Sequence, residues 1–140
     1  MTRESLESLM AGRLHDHPGV ASAYLFGSEA EVRSHRESDV DVGILLRRDV
    51  HPTASERFEQ RLLLSSDLAR GLGGRTVDVL ILNDAPPQLA RRVVTTGRRF
   101  FCGDPRADHV FVRDVQLKAA DLEPFLRRMR RIKLQALARP

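Results

Sequence analysis

The chain has one cysteine, no tryptophan and a single tyrosine among its 140 residues. A lone Cys102 excludes an internal disulfide and a cysteine-rich zinc site, and it leaves the cytoplasm as the expected compartment. Aromatic residues make up 5% of the chain, too few for base stacking to be a prominent mode of recognition. No apolar run approaches the roughly 20 residues that a membrane-spanning helix requires. The first residues, MTRESLESLMAGRL, carry acids and helical periodicity rather than an apolar signal core, so neither export nor a membrane partner is expected. Repeats, low-complexity segments and an internal linker are lacking as well. So are the dinucleotide fingerprint and the Walker-type phosphate loop, because Gly71-Leu72-Gly73-Gly74 precedes a strand instead of following one.

What is present is an ordinary globular composition, 41% hydrophobic and 30% charged, with a formal net charge of +4. A chain of this length fits one domain, residues 1–140, burying about two-thirds of its unfolded surface. The mild positive charge suits phosphate-bearing ligands but does not argue for nucleic acid, and no direct nucleic-acid contact is expected.

Periodicity lays out the elements. Leu6, Leu9, Met10 and Leu14 predict a helix over about 2–15, which His17-Pro18-Gly19 ends. Val20 to Gly27 and Val40 to Leu46 read as strands, with a turn or short helix opening at Gly27-Ser28. Residues 53–70 return to helical period through Phe58, Leu62 and Leu68-Ala69. Thr76 to Leu82, TVDVLIL, is a β-branched strand. Pro86-Pro87 opens a helix over 86–96 that Gly97 closes, and Arg98 to Cys102 is a short edge strand. A helical tract over 106–137 follows as a C-terminal extension, its stripe formed by Val115, Ala119, Leu122, Leu126 and Met129. Pro124 is expected to kink or split it. Helices interleaved with about four strands give an α/β (α+β) domain, a small mixed sheet with helices packed on it.

Chemistry concentrates in LFGSEAEVRSHRESDVDVGILL. On a strand, Asp39 and Asp41 point the same way, roughly 6.6 Å apart. Asp78 interrupts another strand otherwise fit for the core. A buried lone carboxylate costs several kcal/mol in practice unless it is neutralised, paired or bound to metal. Three acids on two apolar strands therefore predict one shared site. Mg²⁺ fits such a set, because it takes oxygen ligands and keeps waters and substrate phosphates. Gly27-Ser28, just after an apolar strand, can turn backbone N–H groups toward a phosphate.

The spacing Gly27-Ser28, ten residues, Asp39-x-Asp41, then Asp78 on a later strand resembles the nucleotidyltransferase domain of the DNA polymerase β superfamily, in its minimal, MNT-type branch. Residues 84–103, DAPPQLARRVVTTGRRFFCG, are similar to the MntA-type antitoxins that pair with HEPN toxins. The resemblance implies a polymerase-β-like fold and an Mg-dependent transfer of AMP from ATP. Gly27 and Ser28 would contact the triphosphate, while Ser38, just before Asp39, reads first as a local turn hydrogen bond and second as a nucleotide contact. Asp39 and Asp41 would hold two Mg²⁺ ions, and Asp78 would ligate the catalytic metal and help activate the acceptor hydroxyl. The implied acceptor is a tyrosine of a HEPN-type RNase toxin, held in a hetero-complex and silenced by the modification.

Many relatives read Gly-Ser-x-Ala-x-Gly with basic variable positions. Here Ala30 matches, but Glu29 and Glu31 are acidic and Val32 replaces the second glycine. That departure raises the alternative of an antitoxin acting by binding alone. A small-molecule, aminoglycoside-type nucleotidyltransferase is a further alternative. The five histidines show no ligand spacing and read as surface residues, and Arg47-Arg48, Arg91-Arg92 and Arg98-Arg99 read as solvated charge. Cys102 reads as buried rather than reactive.

Overall fold

The computed structural model describes residues 2–27 and 39–138. Helix α1 (Arg3–Leu14) starts where Thr2 supplies a cap, its side-chain oxygen accepting the Ser5 N–H at 3.1 Å and so satisfying one of the helix's unpaired donors. Thr53 does the same for the Glu56 N–H at the start of α2 (Ala54–Gly71). The four strands are β1 (Val20–Phe26), β2 (Val40–Leu46), β3 (Val77–Ile81) and β4 (Arg98–Cys102), arranged β3-β2-β1-β4. β1 lies antiparallel to both β2 and β4, whereas β2 and β3 are parallel. A parallel pair needs a crossover, and α2 provides it. A 3-10 turn (Leu82–Asp84), α3 (Pro87–Thr96) and α4 (Pro105–Ala138) complete the domain. The small mixed sheet inferred from periodicity is the sheet observed.

Helices cover both faces. Leu6, Met10 and Leu14 of α1 and Leu64 and Leu68 of α2 pack against Leu25, Val42, Ile44 and Val79. On the other face Leu82 and Val93 meet Ala21, Tyr24 and Leu45, with Ala107 and Phe111 of α4 alongside. Burial of β2 on both sides explains why VDVGILL is a nearly continuous apolar run instead of an alternating one. Gly43 lets α3 come close: a Cβ there would sit 2.9 Å from Val93 Cγ1 and 3.2 Å from Leu82 Cδ2. Gly43→Ala is therefore expected to cost about 1–3 kcal/mol by overpacking, read as a lower denaturation midpoint with an unchanged denaturant slope.

Three helical expectations are corrected. Leu9 is 45% exposed, so the buried line of α1 is Leu6, Glu7, Met10 and Leu14. In α2, Phe58 and Leu62 are exposed, and the buried line is Arg57, Leu64 and Leu68. A stripe drawn through apolar residues misses Arg57. Its guanidinium is paired twice with Asp84, at 2.8 and 2.9 Å, and donates to the His51 carbonyl, so the stem can be buried while the charge stays satisfied. Finally, α4 passes through Pro124 as a single helix, so Pro124 does not split the tract. The proline removes only the N–H that would reach Ala120, and this half of the helix is largely exposed, where water can take the freed carbonyl. Nor is α4 wholly an extension, because Asp108, Val115 and Ala119 are buried.

Candidate active site

The acids meet at the end of the sheet where β1 finishes and β2 and β3 begin. Asp41 is in direct register with Asp78 across the parallel pair and with Phe26 across the antiparallel one. Partners in register point to the same face on strands roughly 4.8 Å apart. Asp39 immediately precedes β2, two residues before Asp41, and is exposed. Asp41 is half-buried, while the Asp78 side chain is 62% exposed.

Charge ties the three together. Burial raises the pKa of the Asp41 carboxyl above its ordinary value, and the neighbouring charges of Asp78 and then Asp39 push it further in the same direction. Carboxylates that repel one another in this way favour a cation among them. Among the described residues, no three carboxylate, imidazole or thiol side chains close around a single point as a complete metal cage.

Gly27 comes next to this cluster. Its φ of 73° lies in the left-handed region that favours glycine, and a Cβ at this position would collide with the Asp41 carboxylate. The Gly27 backbone thus lies directly against Asp41. Ser28 and Ser38, and with them Glu29, Ala30, Glu31 and Val32, lie outside the described residues.

Some neighbours were not legible in the sequence. Arg61 of α2 donates from Nε to the Val79 carbonyl at 2.8 Å, and its Nη2 stands 3.8 Å from Asp78 Oδ1. It satisfies an edge-strand carbonyl and lends positive charge to the third acid; only the crossover path of α2 brings it there. Arg98 and Arg99 are exposed, as read from the sequence, but each is also paired. Arg98 pairs with Glu7 at 3.1 Å, and Arg99 pairs with the buried Asp108 at 2.8 Å. Asp108 Oδ1 also accepts from Ser22 at 2.6 Å and from Tyr24 at 2.7 Å. Ser22 and Tyr24, two polar groups on an apolar strand, were the available signal. His17 also departs from the surface reading, since its Nε2 is 2.8 Å from Asp67 Oδ2. Cys102 is half-buried.

Cavity size does not mark the acidic site. A cleft of about 540 Å³ lies at the other end of β2, between Leu46, Asn83 and the first turns of α4, and contains none of the three acids.

A mixed four-stranded sheet that carries paired carboxylates beside a glycine turn defines a small nucleotidyltransferase-type domain. The chain belongs to the family described as Polymerase beta, Nucleotidyltransferase, which matches residues 11–106. It is 30% identical over 94 residues to the protein adenylyltransferase MntA of Shewanella oneidensis, a match covering 67% of this chain and 62% of that protein. The chain thus spans less than two thirds of that relative's length. Among solved structures, a toxin–antitoxin complex with AMP-PNP aligns with a TM-score of 0.66 at 25% identity, covering 95% of this chain and 98% of that one. A tri-AMPylated Shewanella oneidensis HEPN toxin in complex with its MNT antitoxin aligns with a TM-score of 0.64 at 23% identity, covering 99% and 100% of the two chains. This last likeness speaks for the fold alone. Among the described residues, no helix is long and apolar enough to cross a membrane.

Proposed function

We propose that this nucleotidyltransferase is an antitoxin that transfers AMP from ATP to a hydroxyl, a tyrosine in the first instance, of a HEPN-type RNase toxin. The observation that carries the reading is the seating of Asp41 between the Gly27 backbone and Asp78. A phosphate-facing turn and a metal-binding acid need that proximity. The family membership and the likeness to an adenylyltransferase of a toxin–antitoxin pair support it.

In this reading Asp39 and Asp41 would hold two Mg²⁺ ions, and Asp78 would complete the ligand set at the catalytic one. The like charges of Asp78 and Asp39 beside Asp41 are the physical ground for assigning cations to these residues. Bound there, Mg²⁺ would polarise the attacking and leaving oxygens of an in-line displacement. Gly27, Ser28 and Ser38 steady the triphosphate. Asp78 draws the proton from the acceptor hydroxyl as its oxygen bonds to the α-phosphorus; the bond to the bridging oxygen breaks and pyrophosphate leaves. Arg61 stands beside Asp78, its Nη2 3.8 Å from Oδ1.

The test is incubation with labelled ATP, Mg²⁺ and the toxin encoded alongside. Label is expected on the toxin, lost with Asp39→Asn and lost on chelation of the metal with EDTA. An unlabelled toxin with active wild-type protein, ATP and Mg²⁺ all present would sink the proposal. The acidic residues Glu29 and Glu31, with Val32, favour a second reading in which the chain neutralises its partner by binding alone. Calorimetric titration with Mg-ATP separates the two: saturable binding abolished by Asp41→Asn belongs to the enzyme, and its absence to the binding module.

A further inference from the structure

The packed face of α4 does not stop where the domain stops. Val115 and Ala119 are buried, and Gln88 of α3 donates to the Ala119 carbonyl at 3.1 Å. Beyond this point α4 continues from Ala120 to Ala138, roughly 28 Å at 1.5 Å per residue. Leu122, Phe125, Leu126, Met129 and Ile132 of this arm fall within roughly 120° of arc, in line with Val115. Most of that stripe faces solvent: Phe125 is 55% exposed, Met129 48% and Ile132 51%. A helix that needed only to be solvated would not carry so wide an apolar face in register with its core-facing one.

Charge selects the occupant. Arg128 and Arg130 border the stripe on its two sides, and Lys133 interrupts it near the far end. Glu123 takes up Arg127 and Arg130, while Arg128, Arg131 and Lys133 form no ion pair among the described residues. A second copy of the arm laid against the first would set these basic borders against each other. A surface with carboxylates along its rim would complement them.

We propose that the stripe from Leu122 to Ile132 is the docking face for the protein whose hydroxyl the domain modifies, received in an apolar groove between helices of that partner with acidic residues along its rim. The proposal rests on the AMP-transfer reading for the partner's identity, but on the arm's own pattern for the surface. The arm leaves the domain beside the first turn of α3, which follows the C-terminal end of β3, whereas Asp78 lies near its N-terminal end. Grip and chemistry are thus at separate places, and they separate in kinetics.

The decisive experiment measures toxin binding by calorimetry for wild type, for Leu126→Glu with Met129→Glu, and for Asp41→Asn. The double variant is expected to bind roughly 100-fold more weakly, the scale of losing central apolar anchors of an interface. It should keep its helical circular dichroism, and the KM for toxin should rise while kcat at saturation holds. Asp41→Asn should bind as wild type does. Unchanged affinity in the double variant overturns the proposal. So does a wild-type dimer that the double variant dissolves, which would give the stripe to a second copy. Sedimentation with phosphatidylserine vesicles that the double variant abolishes would give it to a lipid surface and overturn the proposal equally. Wild type that binds the toxin through the stripe yet labels nothing would end the AMP-transfer reading and leave the docking face standing.

Discussion

Asp41→Asn is expected to abolish AMP transfer and, at neutral pH, to make the protein more stable. Loss of activity should be roughly 10³-fold or more, the scale of removing one group that stabilises charge in phosphoryl transfer. Asp41 is the acid in register with Asp78 and pressed against Gly27, so asparagine removes the charge at the centre of the cluster with almost no change in shape. The gain in stability follows from linkage. Burial, Asp78 and Asp39 raise the folded-state pKa of Asp41, so folding favours its protonated form. As pH rises from the ordinary carboxylate range through the raised value, the native state must give up a proton that the unfolded chain has already lost, and stability falls. Above that interval the penalty is complete; below the ordinary range it vanishes. The thermal midpoint of Asp41→Asn should therefore exceed that of wild type at pH 7, and the two should converge as pH falls toward about 4. Saturating Mg-ATP should stabilise wild type and leave the variant where it was. A variant less stable than wild type at pH 7 would give Asp41 a structural role instead.

The largest loss of stability is expected at Asp108, far from any proposed chemistry. Asp108 is 3% exposed, and its carboxylate accepts from Ser22, Tyr24 and Arg99, joining α4 to β1 and β4. Asp108→Ala leaves a guanidinium and two hydroxyls without their acceptor, at a cost of about 3–5 kcal/mol. The melting temperature should drop on the order of 10–20 °C. Asp108→Asn should cost less, because its amide oxygen still accepts from Ser22 and Tyr24, although the charge opposite Arg99 is gone. The same cluster sets an alkaline limit. Burial first, then the bond to Asp108, hold the Tyr24 phenol well above its ordinary value. Its contribution is complete below about pH 10 and is lost as pH climbs through the raised value. A melting temperature for Asp108→Ala within a degree or two of wild type would show that the three donors find other acceptors.

The acids and the cluster around Asp108 differ in how far the sequence foretold them. Asp41 and Asp78 stand out because each breaks an apolar strand, and strand period is the ground for expecting Asp39, just before β2, on the face of Asp41. That Asp78 pairs with Asp41 rather than with Val40 or Val42 is a matter of register, which follows from how α2 packs when it carries the chain across. Asp108 gave no such signal. It sits in a polar stretch at the start of a helix, and its burial exists only because β1 offers Ser22 and Tyr24 and β4 offers Arg99. Arg57 was hidden for a similar reason: its place in the buried line of α2 depends on Asp84, which arrives from beyond the next strand.

Local periodicity and residue type, then, were enough to determine the elements, the mixed sheet, the acids set into its strands and the glycine turn before them. These features depend on neighbours within a few residues, where backbone geometry repeats. Which acids face each other, which arginines are buried and where α4 leaves the body were decided only by packing. They depend on groups brought together from distant parts of the chain, and hydrophobic burial draws those parts together without regard to their separation in sequence. The arm beyond Ala119 shows the boundary most plainly. Its stripe is written in the sequence, but only the folded domain shows that nothing of its own chain covers that stripe among the described residues.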